Sequence, residues 1–399
     1  MGIFSKSKEK GELMLVFDIR SSSVGGALIE VQKSGVPTIV LSIREPIILE
    51  KAVDVDRFLF STIKPLDIVA KKILAAGIGA PKRVFCTLFS PWYVSQTRII
   101  SFKKDKSFVF TSALADELIK KETLVFQEEH LANYVKTGHK IRFIELKCIK
   151  TTLNGYEIQN PLDQKAKELE ITIFISMSPE QVLSSIEGII KKYFHHQNIK
   201  FSSFAMSSFA VVRNISTNQD NFLLIDVGGE MTDIFMMKKN TLRESISFPL
   251  GHHFFVRGIA SALSCALDEA ESLLSLLKDG HAETSTEKRL EPIVKELKKK
   301  WLEKFQESLA NFSKDISIPS TIYLSADTDF MDFFGKIIET EQFNQYTFTE
   351  SKFKIIFLNT ETLHGLVEFE KNTLRDPFNI INSVYINHFL IYPTSINQA

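Results

Sequence analysis

One stretch of the sequence, Phe222 to Asp233, constrains the fold more than any other. Four apolar residues lead into Asp226, and Gly228 and Gly229 follow before a second apolar run begins. An uninterrupted apolar run is typical of a strand covered on both faces, and glycines permit positive φ and leave no Cβ in the way of an approaching group. Exposed amides in such a turn attract anions, phosphate above all. A plain β-hairpin turn accounts for the same residues equally well.

The same unit occurs near the start of the chain. An apolar run from Leu13 to Phe17 ends in Asp18, and a turn rich in small hydroxylated residues, Ser21 to Ser23, leads to a return strand. A third apolar run, Ile322 to Ala326, also ends in a polar turn. A helical pattern between the first strands and the strand that follows Pro81 predicts that this part of the chain is α/β.

Residues 84–178 have a different character and are predicted to form an inserted α+β module. Strand patterns cover Trp92 to Phe102, Phe143 to Leu153 and Leu169 to Met177, and a charged helix is expected from Ser112 to Gln127. After the module, Ser178 is predicted to be the N-cap of a helix with proline at its first position.

Later helices are predicted from the loop at Gly251 through Leu277 and from Thr286 to Phe312, the second forming a small helical lobe. The apolar segment Ile380 to Tyr392 is expected to pack back on the first domain. His195 and His196 are adjacent at the end of a predicted helix. The simpler interpretation is that they are solvated at the helix end, and the alternative is that they are two metal ligands.

Composition excludes several classes of protein. The 399 residues are 44% hydrophobic, enough for two or more domains with real cores. Lysine plus arginine and aspartate plus glutamate each number 48, so no overall charge favours nucleic acid or an anionic membrane. The three cysteines match no metal or redox spacing, which predicts a reducing, cytoplasmic location. We expect no signal peptide and no membrane span, and we treat the Met-Gly-x-x-x-Ser start as an accidental match to the N-myristoylation pattern.

The three strand-turn units in this order resemble the nucleotide clamp of the actin, Hsp70 and sugar-kinase superfamily. An α+β module inserted in the first lobe is similar to that of the cell-division protein FtsA and the pilus-assembly protein PilM. The resemblance extends along the chain through Asn154-Gly155-Tyr156, Asn160-Pro161, the helix from Pro179, Pro249-Leu-Gly251 and Ala270-Glu271.

The resemblance implies an α/β, two-lobed, actin-like (ribonuclease H-like) fold. Its expected parts are a first lobe at 1–218, interrupted by an SHS2-like (1C) subdomain at 84–178, a second lobe at 219–380 with a helical subdomain at 280–316, and a C-terminal segment at 381–399 that packs on the first lobe.

The resemblance also implies a site for ATP and Mg²⁺ between the lobes. Asp18 and Asp226 would hold hydrated Mg²⁺ through its waters, and Asp226 would orient the attacking water if hydrolysis occurs. A simpler interpretation is that these acids only cap strand ends. The other residues implied to contact the nucleotide are Arg20, Ser21, Ser22, Ser23, Gly228, Gly229, Thr232, Asp233, Glu271, Ser325 and Ala326.

Several residues depart from the pattern of these families. Arg20 stands where glycine is usual, and it would either obstruct phosphate or grip it. The expected lysines are absent, with Gly25 and Leu274 near their places. The third turn, Ser325 to Asp329, has no glycine and brings two acids toward a polyanion. No basic amphipathic helix follows Arg375, so direct membrane anchoring is not expected.

Two functional hypotheses follow. The first is a cytoplasmic, bacterial actin-like scaffold with weak or vestigial ATP binding. It would self-associate and bind the cytoplasmic tails of membrane proteins, or division or pilus proteins, through residues 84–178, and so be recruited to the inner face of the cell membrane without binding nucleic acid. The alternative is a competent Mg-ATPase or sugar-kinase-like phosphotransferase, motivated by the intact turn at Gly228 and Gly229.

Overall fold

A computed structural model describes residues 11–52, 54–134, 140–195, 198–216, 219–312, 318–339 and 352–392. Some predictions from the sequence concern residues outside these ranges, namely the amino-terminal segment, His196 and residues 393–399. None of the helices in these ranges is both long enough and apolar enough to cross a membrane.

The secondary structure has the following bounds. The strands are β1 (Glu12–Ile19), β2 (Ser23–Val31), β3 (Thr38–Pro46), β4 (Arg83–Leu88), β5 (Val94–Val109), β6 (Ile141–Leu153), β7 (Tyr156–Glu157), β8 (Lys165–Pro179), β9 (Ile199–Ser203), β10 (Phe222–Val227), β11 (Thr232–Lys238), β12 (Thr241–Phe248), β13 (Thr321–Ala326), β14 (Lys354–Phe357) and β15 (Glu368–Phe369). The helices are α1 (Val55–Ala75), α2 (Ser112–Tyr134), α3 (Glu180–Phe194), α4 (Phe204–Ile215), α5 (His252–Leu263), α6 (Leu267–Lys278), α7 (Thr284–Ala310), α8 (Met331–Glu339) and α9 (Pro377–Tyr385).

The first sheet has the strand order β15-β3-β2-β1-β4-β9. Strands β1, β2 and β3 are antiparallel neighbours, whereas β4 runs parallel to β1. Helix α1 covers one face, since a Cβ on Gly26 would meet Val69 and Ile73, and α9 covers the other, where the Asn379 side chain donates to Ser42. Both faces of β1 are therefore buried, as its apolar sequence predicts.

The second sheet has the strand order β12-β11-β10-β13-β14 and repeats the plan of the first. Strands β10 and β11 form an antiparallel hairpin, as β1 and β2 do, and β13 runs parallel to β10 as β4 runs parallel to β1. Asp18 and Asp226 consequently occupy equivalent positions, each close to the end of the first strand of its hairpin. This repeat brings two similar turns to the space between the sheets.

The third sheet, with the order β5-β8-β6-β7, lies between β4 and α3 in the sequence. It has its own apolar core, to which Phe126 of α2 contributes. One buried carboxylate, Glu145 on β6, joins this sheet to the first. It accepts hydrogen bonds from the Ser203 N–H at 2.9 Å, from the Ser176 hydroxyl at 3.1 Å and from the Tyr385 hydroxyl at 3.2 Å.

The carboxyl-terminal helix α9 is buried along its whole length. Asp376 caps it by accepting hydrogen bonds from the N–H groups of Phe378 and Asn379. The side-chain amide of Asn379 donates to the Ser42 hydroxyl on β3 at 2.9 Å. The helix thus lies against the first sheet, and a π-helical turn at Ile386–Ile391 follows it.

Two local predictions are wrong. Ser178 does not cap α3, because it is still part of β8 and its hydroxyl donates to the Trp92 carbonyl at 2.6 Å, while Pro179 occupies the cap position without a side-chain bond. The helix expected to run through Leu277 is two helices, since Ser264 adopts the left-handed conformation with φ of 54° and ends α5.

His195 also has positive φ, 55°, and ends α3. Within the described ranges, no group of three or more histidine, cysteine or acidic side chains is placed to hold a metal ion.

Candidate functional site

The turns that end β1 and β10 contact each other directly. The N–H of Glu230, in the second turn, donates a hydrogen bond of 3.1 Å to the hydroxyl of Ser21 in the first. A Cβ on Gly228 would lie 2.8 Å from the same hydroxyl oxygen, and a Cβ on Gly229 would lie 2.9 Å from the Ser21 carbonyl oxygen. The group that approaches these glycines is therefore another part of the chain.

The conformation of the two glycines also differs from expectation. Neither Gly228 nor Gly229 is among the glycines with positive φ, so the turn does not depend on that freedom. Their lack of a side chain is what matters, because a Cβ on Gly229 would also come within 2.7 Å of the His253 ring.

Arg20 lies completely buried beside this contact. Its Nη1 is 3.5 Å from the Asp226 carboxylate and its Nε is 3.3 Å from the Asp327 carboxylate. The guanidinium carbon lies 4.6 Å from the centre of the Phe89 ring and 3.7 Å from that of Phe378, distances typical of cation–π contacts.

Arg44, a second and largely buried cation, binds the other strand-end acid. Asp18, Gly25 and Arg44 lie side by side on β1, β2 and β3, and because Gly25 has no side chain, Arg44 reaches across β2. Its two terminal nitrogens donate to Asp18 at 2.9 and 3.0 Å, and its Nε donates to Asp376 at 2.5 Å. Burial lowers the pKa of Arg44, but the two carboxylates outweigh it and raise that pKa above its ordinary value.

Asp226 and Asp327, the two acids beside Arg20, differ in electrostatic setting. Burial raises the pKa of Asp226, and the neighbouring Arg20 only partly opposes this. For Asp327, burial again raises the pKa, but Arg20 and His252 hold it down at about 2. Asp327 is thus a firm anionic partner of Arg20, and Asp226 faces the same guanidinium at 3.5 Å.

The predicted hydroxyl ligands are used within the protein. The Thr232 hydroxyl donates to the Leu250 carbonyl at 2.7 Å and accepts from the Trp301 indole N–H at 3.3 Å. The Ser23 hydroxyl accepts from Arg44 at 3.0 Å. The hydroxyls of Thr232 and Ser23 therefore already have partners within the protein, although Ser23 and Arg44 also line the cleft.

Asp233, predicted to contact nucleotide, instead joins the second sheet to the loop after β4. It accepts a hydrogen bond of 2.9 Å from the Ser90 hydroxyl and another from Ser247. Burial and the nearby Asp226 raise its pKa to about 7, although the two hydroxyl groups oppose that change.

Glu230 is held beside the N-terminal end of α5. Arg257 donates two bonds of 2.7 Å to its carboxylate, and His253 Nδ1 lies 2.8 Å from one of its oxygens. These partners outweigh burial and lower the pKa of Glu230 to about 2. Burial lowers the pKa of the adjacent His252 to about 3, so that its ring is neutral at physiological pH.

An open cleft of about 680 Å³ remains beside the two arginines. Glu271, predicted to reach ribose, is exposed on its wall. Ser22 also lines the cleft, whereas the predicted residues Ser325 and Ala326 are buried in β13 beside Asp226 and Val227. The other acids on the walls are Asp268, Asp327, Asp329 and Asp376.

The residues present do not fit Mg²⁺ with a triphosphate. Asp18, which would hold the metal, is paired with Arg44, and Asp226 faces Arg20. A divalent cation would have to share these carboxylates with the guanidinium groups of Arg20 and Arg44. The phosphates would have to separate turns that are hydrogen-bonded to each other, and they would enter a cleft lined by five acids, where Arg44, one of its two arginines, is already paired with Asp18 and Asp376.

Comparison with known proteins agrees with this architecture. The family model described as "Cell division protein FtsA" matches residues 223–390. A chain of the PilM-PilN type IV pilus biogenesis complex has a TM-score of 0.51 and 12% identity, over 92% of this chain and 89% of that one. For MreB 5 of Spiroplasma citri bound to AMPPNP the TM-score is 0.44 with 8% identity, over 94% and 96%. No curated protein sequence matches significantly.

The molecule has the two-lobed, mixed α/β fold of the actin-like ATPase superfamily, with the first sheet in one lobe and the second sheet in the other. Within that superfamily, residues 223–390 are similar to the family described as cell division protein FtsA, and the fold as a whole is similar to that of a chain of the PilM-PilN complex. Actin-like ATPases generally bind ATP with Mg²⁺, and proteins like FtsA and PilM self-associate and bind partner proteins.

The sequence predicts that Arg20 lies at the cleft, but it did not indicate most of the other residues there. Those residues are Arg44, Asp376, Phe89, Phe378, Glu230 and Arg257. One signal for Arg44 existed. A glycine inside a buried strand, Gly25, indicates close approach of another group, and Arg44 is its neighbour on the next strand. Asp376 and Phe378 come from the far end of the chain and gave no local signal.

Proposed function

We propose that this protein is an actin-like scaffold of the FtsA/PilM type that acts through protein contacts and does not turn over ATP. The observation that carries this proposal is the direct hydrogen bond between the turn after β1 and the turn after β10, from Glu230 N–H to Ser21 Oγ. A scaffold needs the shape of the fold and its outer surfaces, whereas an ATPase needs the space between these turns.

The competing enzyme hypothesis requires Asp226 to orient a water next to a bound metal. In this cleft, Asp226 is buried beside Arg20 and its pKa is raised. A carboxylate that faces a guanidinium would have to give up that contact before it could orient a metal-bound water. The geometry therefore supports the scaffold over a Mg-ATPase or a sugar-kinase-like phosphotransferase.

The partner-binding part of the proposal concerns residues 84–178. A groove of about 820 Å³ lies on this module, and its apolar lining includes Phe110, Ile119, Ile158 and Leu162. Such a lining suits apolar side chains of a short segment of another protein. Cytoplasmic tails of membrane proteins in division, pilus or secretion machinery would bring the scaffold to the inner face of the membrane.

Nucleotide titration tests the catalytic half of this proposal. We expect isothermal calorimetry with Mg-ATP and Mg-ADP to give no binding up to millimolar concentration. The turns after β1 and β10 are joined by a hydrogen bond, and the two acids that would hold the metal face arginines. The Asp226→Asn variant is expected to behave identically. Micromolar binding that is lost in Asp226→Asn would contradict the proposal and restore the enzyme hypothesis.

Affinity capture from solubilised cell membranes tests the partner half. Leu162 is 51% exposed in the groove, and Leu276 is 43% exposed on α6 of the other lobe. Leu162→Glu is expected to reduce capture of membrane proteins at least tenfold, whereas Leu276→Glu leaves it unchanged. Equal capture by both variants would show that the groove is not the binding surface, and a wild-type protein that stays monomeric and captures nothing would leave the scaffold proposal unsupported.

A further inference from the structure

The side chain of Arg20 spans the two lobes. Its backbone belongs to the turn between β1 and β2 in the first lobe, and its N–H donates to the Ser23 carbonyl at 3.0 Å. Both of its carboxylate partners, Asp226 at 3.5 Å and Asp327 at 3.3 Å, belong to the second lobe. A single cation from one lobe therefore faces two acids of the other.

First-lobe residues fix the direction of this side chain. Phe89 follows β4 and Phe378 lies in α9, and the guanidinium carbon is within 5 Å of both ring centres. The Trp92 indole N–H also lies 3.3 Å from the Arg20 carbonyl and donates to it. Rings on the first-lobe side and carboxylates on the second-lobe side together hold the guanidinium so that it points across the cleft.

The contact depends on charge more than on hydrogen-bond geometry. Within the described residues, none of the three guanidinium nitrogens of Arg20 makes a hydrogen bond, although the side chain is fully buried. A buried cation without hydrogen bonds is stable only beside compensating charge, and Asp226 and Asp327 supply it. Conversely, those two acids of the second lobe depend on a cation from the first.

We propose that Arg20 is a built-in counter-ion that holds the two lobes together across the cleft, in the place where an actin-like ATPase would use a metal–nucleotide complex. Closure of the lobes at these turns is then a property of the folded chain and needs no ligand. The proposal uses the same cleft as the proposed function but does not depend on whether the protein is a scaffold.

Hydrogen exchange measured by mass spectrometry tests this role, because it reports local opening at the turns. Arg20→Met keeps the length and apolar stem of the side chain and removes its charge. We expect amide exchange in residues 226–232 and 325–330 to rise at least tenfold. Arg375 lines the same cleft but is exposed, so Arg375→Met is the matched control and is expected to leave this exchange unchanged.

A second variant approaches the contact from the other lobe. The Asp327 side chain is 25% exposed, so Asp327→Asn removes the anionic partner with less disturbance of the core. We expect it to give the same rise in exchange as Arg20→Met. It also keeps the proposal testable if Arg20→Met fails to fold. Wild-type exchange in Asp327→Asn, or an equal rise in Arg375→Met, would overturn the proposal. Binding of Mg-ATP to the wild type would instead contradict the proposed function and leave this test standing.

Discussion

Arg20 and Arg44 achieve charge compensation in different ways. Arg44 makes hydrogen bonds to both of its carboxylate partners, Asp18 and Asp376, and its side chain keeps 19% exposure. Arg20 has no exposure and relies on rings and on carboxylates at longer distance. Arg44 is thus a well-satisfied structural ion pair within one lobe, whereas Arg20 is the more sensitive contact and the one between lobes.

Asp233 leads to a prediction about pH. An ordinary aspartate titrates near 3.8 and the folded Asp233 near 7, so between these values the unfolded state binds fewer protons and stability falls as pH rises. The slope from this group is at most about 1.4 kcal/mol per pH unit. Asp233→Asn keeps the acceptor for Ser90 and removes the titration.

We therefore expect the free energy of unfolding of Asp233→Asn, relative to wild type, to increase between pH 5 and pH 7 and to change little above pH 8. Urea denaturation at each pH measures it. Asp105→Asn, on the exposed part of β5, is the control. A difference between wild type and Asp233→Asn that does not vary with pH would contradict the assignment.

At the scale of elements, strand β2 is built around a missing side chain. A Cβ on Gly25 would lie 2.0 Å from the Asp18 carboxylate and 2.6 Å from Arg44 Nη2. Gly25→Ala would therefore separate the buried ion pair, and we expect it to lower the free energy of unfolding by about 2 to 5 kcal/mol. Chemical denaturation followed by circular dichroism measures the change.

Gly188 offers a matched control for this substitution. It lies inside α3, and a Cβ there would meet nothing within 4 Å. Gly188→Ala is expected to stabilise the protein by up to about 1 kcal/mol, because alanine favours the helix. If Gly25→Ala were as stable as wild type, the explanation of how Arg44 reaches Asp18 would be wrong.

Elements with a strong periodic pattern were predictable, and contacts distant in sequence were not. The hairpins at Asp18 and Asp226 follow from apolar runs and short polar turns. The break at Ser264 was missed because no glycine or proline marks it. At the site, the sequence identified Arg20 as the unusual residue, but whether it obstructs or grips a phosphate depends on Asp327, Phe89 and Phe378, which only the folded chain brings together.

At the scale of the whole molecule, the lobes share more than the polar contacts at the cleft. Phe222, Leu224 and Phe235, on one face of the second sheet, belong to the same apolar cluster as the core of the first sheet. The described part of the chain therefore has one continuous core between the lobes, a second core beyond the second sheet and a third core in the sheet β5-β8-β6-β7 with α2. This arrangement favours a rigid body with fixed outer surfaces, which suits a protein that presents those surfaces to others.

Arg20 gives this rigid body a further property. A soluble ligand occupies its site in proportion to its concentration, but a side chain tethered to the same fold is present at an effective concentration that no cellular condition changes. The Arg20 contact with Asp226 and Asp327 is consequently always saturated. Under the proposal that Arg20 closes the lobes, closure does not depend on the ratio of ATP to ADP, and assembly of a scaffold of this kind would be controlled by the supply of its partners.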